Sequence, residues 1–133
     1  MRIKQLSIML ANKEGALAAI SDVLARNNVN MHAMIIADTQ DFGLLRIIVD
    51  DVDAVAALLQ KEGYVYTKTE VLALPVANHS GALAQQVAAL AAAGIGIEYA
   101  YAFSSTAQVA YAVFRVDDND AAERLLGDAK VEF

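Results

Sequence analysis

Two short segments of this sequence join polar side chains and a glycine to the start of an apolar run, a combination that suits the binding of a small anion. They are residues 12–17, Asn-Lys-Glu-Gly-Ala-Leu, and residues 78–83, Asn-His-Ser-Gly-Ala-Leu. Glycine allows positive φ or the close approach of another group, and the first turn of a helix leaves N–H groups without an intrahelical partner. Such N–H groups attract negative charge. Each segment, which we call the first or the second corner, is therefore a candidate carboxylate site.

The same residues also have explanations that involve no ligand. Gly15 and Gly81 fit a tight corner as well as a binding site, and Asn12 and Asn78 fit helix caps as well as ligand contacts. His79 fits a solvent-exposed loop histidine better than an effector contact. The sequence by itself leaves these alternatives open.

The corners must be positioned by strands and helices, and the spacing of apolar residues predicts where these lie. The second half of the chain repeats the first at an offset of 66 residues at the corners, which indicates an internal duplication. The predicted elements are, in order, strand 3–10, helix 16–27, strands 31–37 and 42–49, helix 52–62, strand 64–69, strand 71–76, helix 82–93, strands 97–103 and 108–116, and a last helix starting at Asp117 and Asp118.

This order of elements predicts an α+β protein of two ferredoxin-like repeats. Each repeat reads as βαββαβ, with an antiparallel four-stranded sheet and both helices on one face of it. We place the first repeat at residues 1–69 and the second at residues 70–133. Pro75 falls in a predicted central strand, where it would remove a ladder hydrogen bond, so we expect a bulge or a strand end there.

The predicted strands are apolar on both faces, although the helices cover only one. Leu45 and Ile47 alternate with Leu44 and Ile48, for example. An apolar sheet face needs a cover. Packing between copies of the chain is the simplest cover, and we therefore predict a homodimer.

Composition excludes several functional classes. A net charge of −6 with only 10 lysines and arginines argues against a nucleic-acid or anionic-membrane surface. Cysteine is absent, which removes thiolate catalysis and cysteine zinc sites, and the two histidines have no metal-ligand spacing. The first corner lacks the arginine of a phosphate-cradling loop. We therefore predict a protein that is not an enzyme and that has no cofactor.

Nothing in the apolar runs indicates a leader or a membrane span. Arg2 and Lys4 precede an apolar run that ends at Asn12, too early for a signal peptide. No stretch approaches the ~18 unbroken apolar residues of a membrane helix. We expect a cytoplasmic protein with no membrane partner.

The pattern Asn-x-x-Gly-Ala-Leu-Ala, present twice in a duplicated βαββαβ chain, resembles the ACT domain, a small regulatory module that binds amino acids. The resemblance covers the whole chain as two tandem repeats. The family's corner is often Asp-Arg-Pro-Gly, and this chain lacks that arginine and proline. Residues 37–39, 41–43, Arg46 and residues 98–103 are similar to a stand-alone tandem branch that binds amino acids.

The resemblance implies where an effector would bind. In ACT domains the effector lies between the corner of one module and a strand or corner of its partner. By analogy, backbone N–H groups of the first corner would hold a carboxylate, and the side chain of its asparagine would hold the ammonium or carboxylate group. The implied ligand-binding residues are Asn12, Gly15, Ala16, Leu17, Asn78, His79, Gly81, Ala82 and Leu83.

The function expected from the residues and the resemblance together is a regulatory sensor. The effector would be a free amino acid or similar small carboxylate, and the protein would act on a separate partner, such as a regulated enzyme. The alternative is an adaptor that docks onto another protein and has no small-molecule ligand. A change of stability on adding ligand would distinguish the two.

Overall fold

The structure, a computed structural model, describes residues 1–38, 42–105 and 109–133 of the chain. Its helices and antiparallel strands follow the predicted order, which confirms the α+β, ferredoxin-like fold class. The elements are β1 (Arg2–Ala11), α1 (Ala16–Arg26), β2 (Met31–Asp38), β3 (Phe42–Val49), α2 (Val52–Lys61), β4 (Tyr66–Val76), α3 (Ala82–Ala92), β5 (Ile97–Ser104), β6 (Ala110–Val116) and α4 (Asn119–Leu126).

The chain forms two compact units. The N-terminal unit is Lys4–Thr69, and the C-terminal unit combines Met1–Ile3 with Glu70–Phe133. The strand order is β2-β3-β1-β4 in the N-terminal unit and β1-β4-β6-β5 in the C-terminal unit, each with its own part of β1 and β4. In both units the strand that leads into a corner therefore lies inside the sheet.

The region between the two predicted repeats differs from expectation. The strands predicted at 64–69 and 71–76 are one strand, β4, so the prediction of two strands was wrong. The physical reason is local, because residues 67–71, Thr-Lys-Thr-Glu-Val, contain no turn-forming residue and are rich in β-branched side chains.

The first residues of the chain supply an edge strand to the C-terminal unit. The Ala73 N–H donates to the carbonyl oxygen of Met1 at 2.9 Å, and the Met1 nitrogen donates to the carbonyl oxygen of Ala73 at 2.8 Å. No strand follows α4 within residues 109–133. Met1–Ile3 thus takes the place of the fourth strand in this unit.

Arg2 fastens this edge strand to α4 and β4. Its guanidinium lies 2.5 Å from Asp120 Oδ1, 3.4 Å from Glu123 Oε2 and 3.7 Å from Glu70 Oε2. The hydrogen bond from Arg2 lowers the pKa of Asp120 below its usual value. A carboxylate with a lowered pKa stabilises the folded state above its unfolded pKa and loses that effect as the pH falls through the folded pKa.

We therefore expect Arg2→Gln to destabilise the protein most near neutral pH. The difference in melting temperature between wild type and Arg2→Gln should shrink as the pH falls from about 4 through the lowered folded pKa of Asp120, below which this carboxyl group is protonated in both states. Thermal unfolding at a series of pH values measures this. In an Asp120→Asn background the same comparison should depend less on pH, and an unchanged dependence would contradict the assignment.

The core of the N-terminal unit lies between its sheet and its two helices. Leu6, Ile8 and Leu10 are buried and alternate along β1, as the strand period predicts. Met9, between them, points to the other face and is 43% exposed. The buried residues that join these three in the core are Ile20, Leu24, Leu45, Ile47, Val49, Val55, Ala56 and Leu59.

The C-terminal unit has a corresponding core and, in addition, a covered far face. Phe103 and Tyr111 pair across β5 and β6 on the face away from the helices, and their rings stack with centroids 5.4 Å apart. Phe133 stacks on Phe103 with centroids at 6.1 Å, and the Glu132 N–H donates to the Tyr111 hydroxyl at 3.1 Å. Val131 is 4% exposed. The segment 131–133 therefore covers part of this face.

Pro75 lies where the sequence led us to expect it. It is the next-to-last residue of β4, opposite Tyr111 of β6. Its carbonyl oxygen accepts a hydrogen bond from Gln86 Nε2 of α3 at 2.9 Å. The end-of-strand position explains how the sheet tolerates a residue without an N–H.

The helices are short. The longest, α1 and α3, have 11 residues each. Within residues 1–38, 42–105 and 109–133, no helix combines the length and apolar character needed to cross a membrane.

Candidate functional site

The first corner joins β1 to α1 through a glycine with positive φ. Gly15 has φ 84° and precedes the first helical residue, Ala16. The corner is closed by hydrogen bonds from the Lys13 N–H to the Ala11 oxygen (2.8 Å), from the Ala16 N–H to the Lys13 oxygen (3.3 Å) and from the Ala19 N–H to the Gly15 oxygen (2.9 Å). A residue with a Cβ would be strained at this φ, which accounts for the glycine.

The second corner repeats this backbone in the C-terminal unit. Gly81 has φ 87°. The His79 N–H donates to the Ala77 oxygen at 2.9 Å, the Ala82 N–H to the His79 oxygen at 3.3 Å and the Gln85 N–H to the Gly81 oxygen at 3.0 Å. The duplication seen in the sequence thus extends to individual hydrogen bonds.

The helices that do not follow a corner are capped by aspartate. Asp51 Oδ1 accepts from the Ala54 N–H at 3.0 Å at the start of α2, and Asp118 Oδ1 accepts from the Ala121 N–H at 2.9 Å at the start of α4. The bond to Asp118 confirms the prediction that aspartates begin the last helix. The capping oxygens take up N–H groups that an anion would otherwise need.

The helices that follow a corner begin differently. Among the described residues, no side chain caps α1 or α3, and neither first turn holds an acidic residue. The N-cap residues are Gly15 and Gly81, so the alternative that Asn12 and Asn78 cap these helices is not what the structure shows. The Ala16 and Ala82 N–H groups donate within the corners, and the other N–H groups of both first turns are left for another acceptor.

The predicted ligand-binding residues lie around these two helix starts, most of them at the surface. Asn12, Gly15 and Leu17 are exposed in the first corner, where Ala16 is half-buried. In the second corner Ala82 is buried. Asn78, His79, Gly81 and Leu83 are exposed, and His79 Nδ1 lies 3.1 Å from the oxygen of Ser80.

A cleft of 360 Å³ adjoins the first corner, and we call it the corner cleft. One wall is the end of β1, a second is the start of α1, and the third is the link from α2 to β4. The Met9 N–H donates to the Val65 oxygen at 3.0 Å, which fixes the third wall beside the first. The lining residues are Met9, Leu10, Ala11, Lys13, Ala16, Ala19, Gly63, Tyr64 and Val65.

The sequence predicted only part of this cleft. Ala16 lines it, but Asn12, Gly15 and Leu17 are not among its lining residues. Sequence reasoning missed the wall that includes Val65, because that wall is distant in sequence from the corner. The sequence offers no local signal for this wall, because the exposure of Val65 is known only from the structure.

Other residues noted in the sequence have ordinary roles or lie outside the description. His32, one of the two histidines, has its Nε2 2.6 Å from Asp50 Oδ1. Phe103 packs against other rings, as described above. Thr39 and Asp41, from the segments similar to the amino-acid-binding branch, and Gln108, the predicted start of a strand, lie outside the described residues.

Comparison with known proteins places the whole chain in one family. A family model described as an ACT domain pair matches residues 1–133. The protein BT0572 from Bacteroides thetaiotaomicron, whose crystal structure is known, is 40% identical, with 95% of this chain and 87% of that chain covered and a TM-score of 0.88. No curated protein matches this chain.

More distant structures share the fold alone. The ligand-free regulatory subunit of aspartate kinase from Thermus thermophilus is 13% identical, with 95% of this chain and 93% of that chain covered and a TM-score of 0.66. The regulatory subunit from Thermus flavus is 16% identical, with the same coverage of both chains and a TM-score of 0.61.

Proposed function

Because this chain belongs to the family of ACT domain pairs, we propose that it is a non-enzymatic regulatory protein that binds a free amino acid or a similar small carboxylate at its strand-to-helix corners. The family was predicted from the two corners, and that prediction is confirmed. The identity of the ligand and the residues that hold it are the proposal.

The observation that carries this proposal is the contrast between the two kinds of helix start. α2 and α4 satisfy their first N–H groups with aspartate side chains, whereas α1 and α3 begin at an uncapped glycine without an acid in the first turn. The corner cleft lies beside the first of these uncapped helix starts and offers concave space for a ligand. Both features favour a carboxylate ligand.

The proposal includes the setting in which the protein acts. We propose that ligand binding changes the assembly of a homodimer in the cytoplasm and thereby acts on a separate partner, such as an enzyme. We also propose that the ACT repeats are residues 1–69 and 70–133.

A second candidate function, a protein-docking adaptor, is favoured by one exposed edge. β2 is the edge strand of the N-terminal unit, and two of its large apolar side chains, Met34 and Ile36, are 48% and 41% exposed. A hydrophobic edge strand suits pairing with another chain. This candidate would replace the sensor if no small molecule bound.

Thermal unfolding in the presence of each common amino acid tests the sensor. At fixed protein concentration and at about 100 times its dissociation constant, the effector should stabilise the fold by about 2.7 kcal/mol, which raises the melting temperature by several degrees. No rise with any amino acid would overturn amino-acid binding in favour of the adaptor or of an effector outside the amino acids.

Three glycine variants identify the corner that responds. Gly15→Arg and Gly81→Arg place a large side chain at a positive φ inside a corner, and Gly94→Arg places it at φ 73° at the end of α3, outside both corners. An added Cβ meets no atom within 4 Å at any of the three positions, so the backbone strain should be similar. We expect Gly94→Arg to keep the response and at least one corner variant to lose it.

A further inference from the structure

The lining of the corner cleft is mainly apolar, which does not suit a ligand with a charged side chain. Most of its surface comes from apolar residues, among them Met9, Leu10, Ala16 and Val65. Its volume of 360 Å³ is at the small end of ligand pockets. An occupant that fills it should be small and should have an uncharged, apolar body.

Two of the apolar residues that line the cleft are unusually exposed. Met9 is 43% exposed and Val65 is 64% exposed, although both belong to or adjoin strands of the sheet. Because Met9 points to the sheet face away from the helices, a ligand in the cleft covers only the part of these apolar surfaces that borders the cleft, and burying that part is favourable. Their position therefore favours an aliphatic or aromatic ligand over a polar one.

In the part of the chain that the structure describes, the lining of the corner cleft contains positive charge but no negative charge. Lys13 is the one charged residue among the described residues that line it, and the first turn of α1 adds free N–H groups nearby. Glu14 and Glu62 are the acids nearest in sequence to the lining, and neither of them lines the cleft. A carboxylate would find a cationic partner here, whereas an ammonium group would find no carboxylate in the lining.

On the basis of the proposed function, we propose that the corner cleft takes a small monocarboxylate with an apolar body, and that the α-amino group contributes little to its binding. The 2-oxo acid with the same carbon skeleton should then bind about as well as the amino acid. Lysine and aspartate should bind poorly, because the lining would have to desolvate a second charge without pairing it.

Calorimetric titration of the full chain with matched probes tests this. The probes are L-valine, L-leucine and L-phenylalanine, the 2-oxo acid of each, 3-methylbutylamine as leucine without its carboxylate, and L-lysine and L-aspartate. We expect at least one apolar amino acid and its 2-oxo acid to bind with dissociation constants within about tenfold of each other, and the amine to bind at least about 100-fold more weakly.

A lysine variant assigns the carboxylate partner. Lys13→Gln should weaken binding of both acids by about tenfold or more, because a charge-assisted hydrogen bond is lost. Lys4→Gln, which changes an exposed lysine of β1 outside the cleft, should leave both dissociation constants unchanged. Equal binding by Lys13→Gln and wild type would overturn the assignment of this site.

The outcomes separate this inference from the proposed function. If an amino acid binds but its 2-oxo acid binds more than tenfold more weakly, the inference is wrong and the sensor stands. Preferred binding of lysine or aspartate leads to the same conclusion. If none of these probes binds, the inference is wrong, and the sensor is then decided by thermal unfolding with each of the common amino acids.

Discussion

Phe114→Ala is expected to lower the free energy of unfolding by about 3–5 kcal/mol. Phe114 lies in β6 opposite Leu72 and has no exposed surface. Its ring belongs to the core cluster of the C-terminal unit, with Leu74 and Leu90 among its members. Truncation removes the favourable transfer of the ring out of water and leaves a cavity. The two strands and the helix around this cavity are closely packed, so they can move only partly into it.

Urea unfolding at fixed protein concentration measures this loss. The matched control is Phe133→Ala, the same chemical change at a side chain that is 48% exposed and stacks on Phe103 at the far face. We expect the control to lose at least about 2 kcal/mol less than Phe114→Ala, because less apolar area returns to water. Equal losses would mean that Phe114 is not the larger contributor to the core.

Features fixed by neighbouring residues were predictable from the sequence. The positive φ at Gly15 and Gly81 follows from glycine at the end of a strand and the start of an apolar helix, and both angles are found. The aspartate caps at Asp51 and Asp118 follow from the same kind of local pattern. In each case the type of the residue that adopts the conformation is enough to predict that conformation.

Features that depend on distant pairing were not predictable. The edge strand of the C-terminal unit is Met1–Ile3, which pairs with Ala73, and nothing local in either segment indicates the other. The third wall of the corner cleft depends in the same way on the hydrogen bond between Met9 and Val65. Many strands could pair with a given edge, so sequence periodicity alone does not select the partner.

The C-terminal segment changes the argument for a homodimer. The expectation of a dimer came from an apolar sheet face without a cover. In the C-terminal unit, residues 131–133 cover part of that face, and Tyr111 beneath them is 3% exposed. A second copy is therefore not required to bury this part, and the homodimer stays a prediction that rests on the remaining apolar surface.

Ala19→Leu is expected to abolish the rise in melting temperature that an effector of the first corner produces. Ala19 is exposed on α1 and lines the corner cleft, so a larger side chain there would occupy the volume that a ligand needs. At about 100 times the dissociation constant, the lost stabilisation would be about 2.7 kcal/mol. The measurement is thermal unfolding with and without the amino acid that stabilises the wild-type protein most.

Ala18→Leu is the matched control, because it makes the same change one residue earlier on the same helix. Ala18 is exposed and does not line the cleft. Alanine and leucine are both strong helix formers, so neither variant should change the stability of the free protein much. A full response in Ala18→Leu with none in Ala19→Leu would place the ligand in the corner cleft. A full response in both would exclude the cleft and leave the second corner, where Gly81→Arg is the corresponding test.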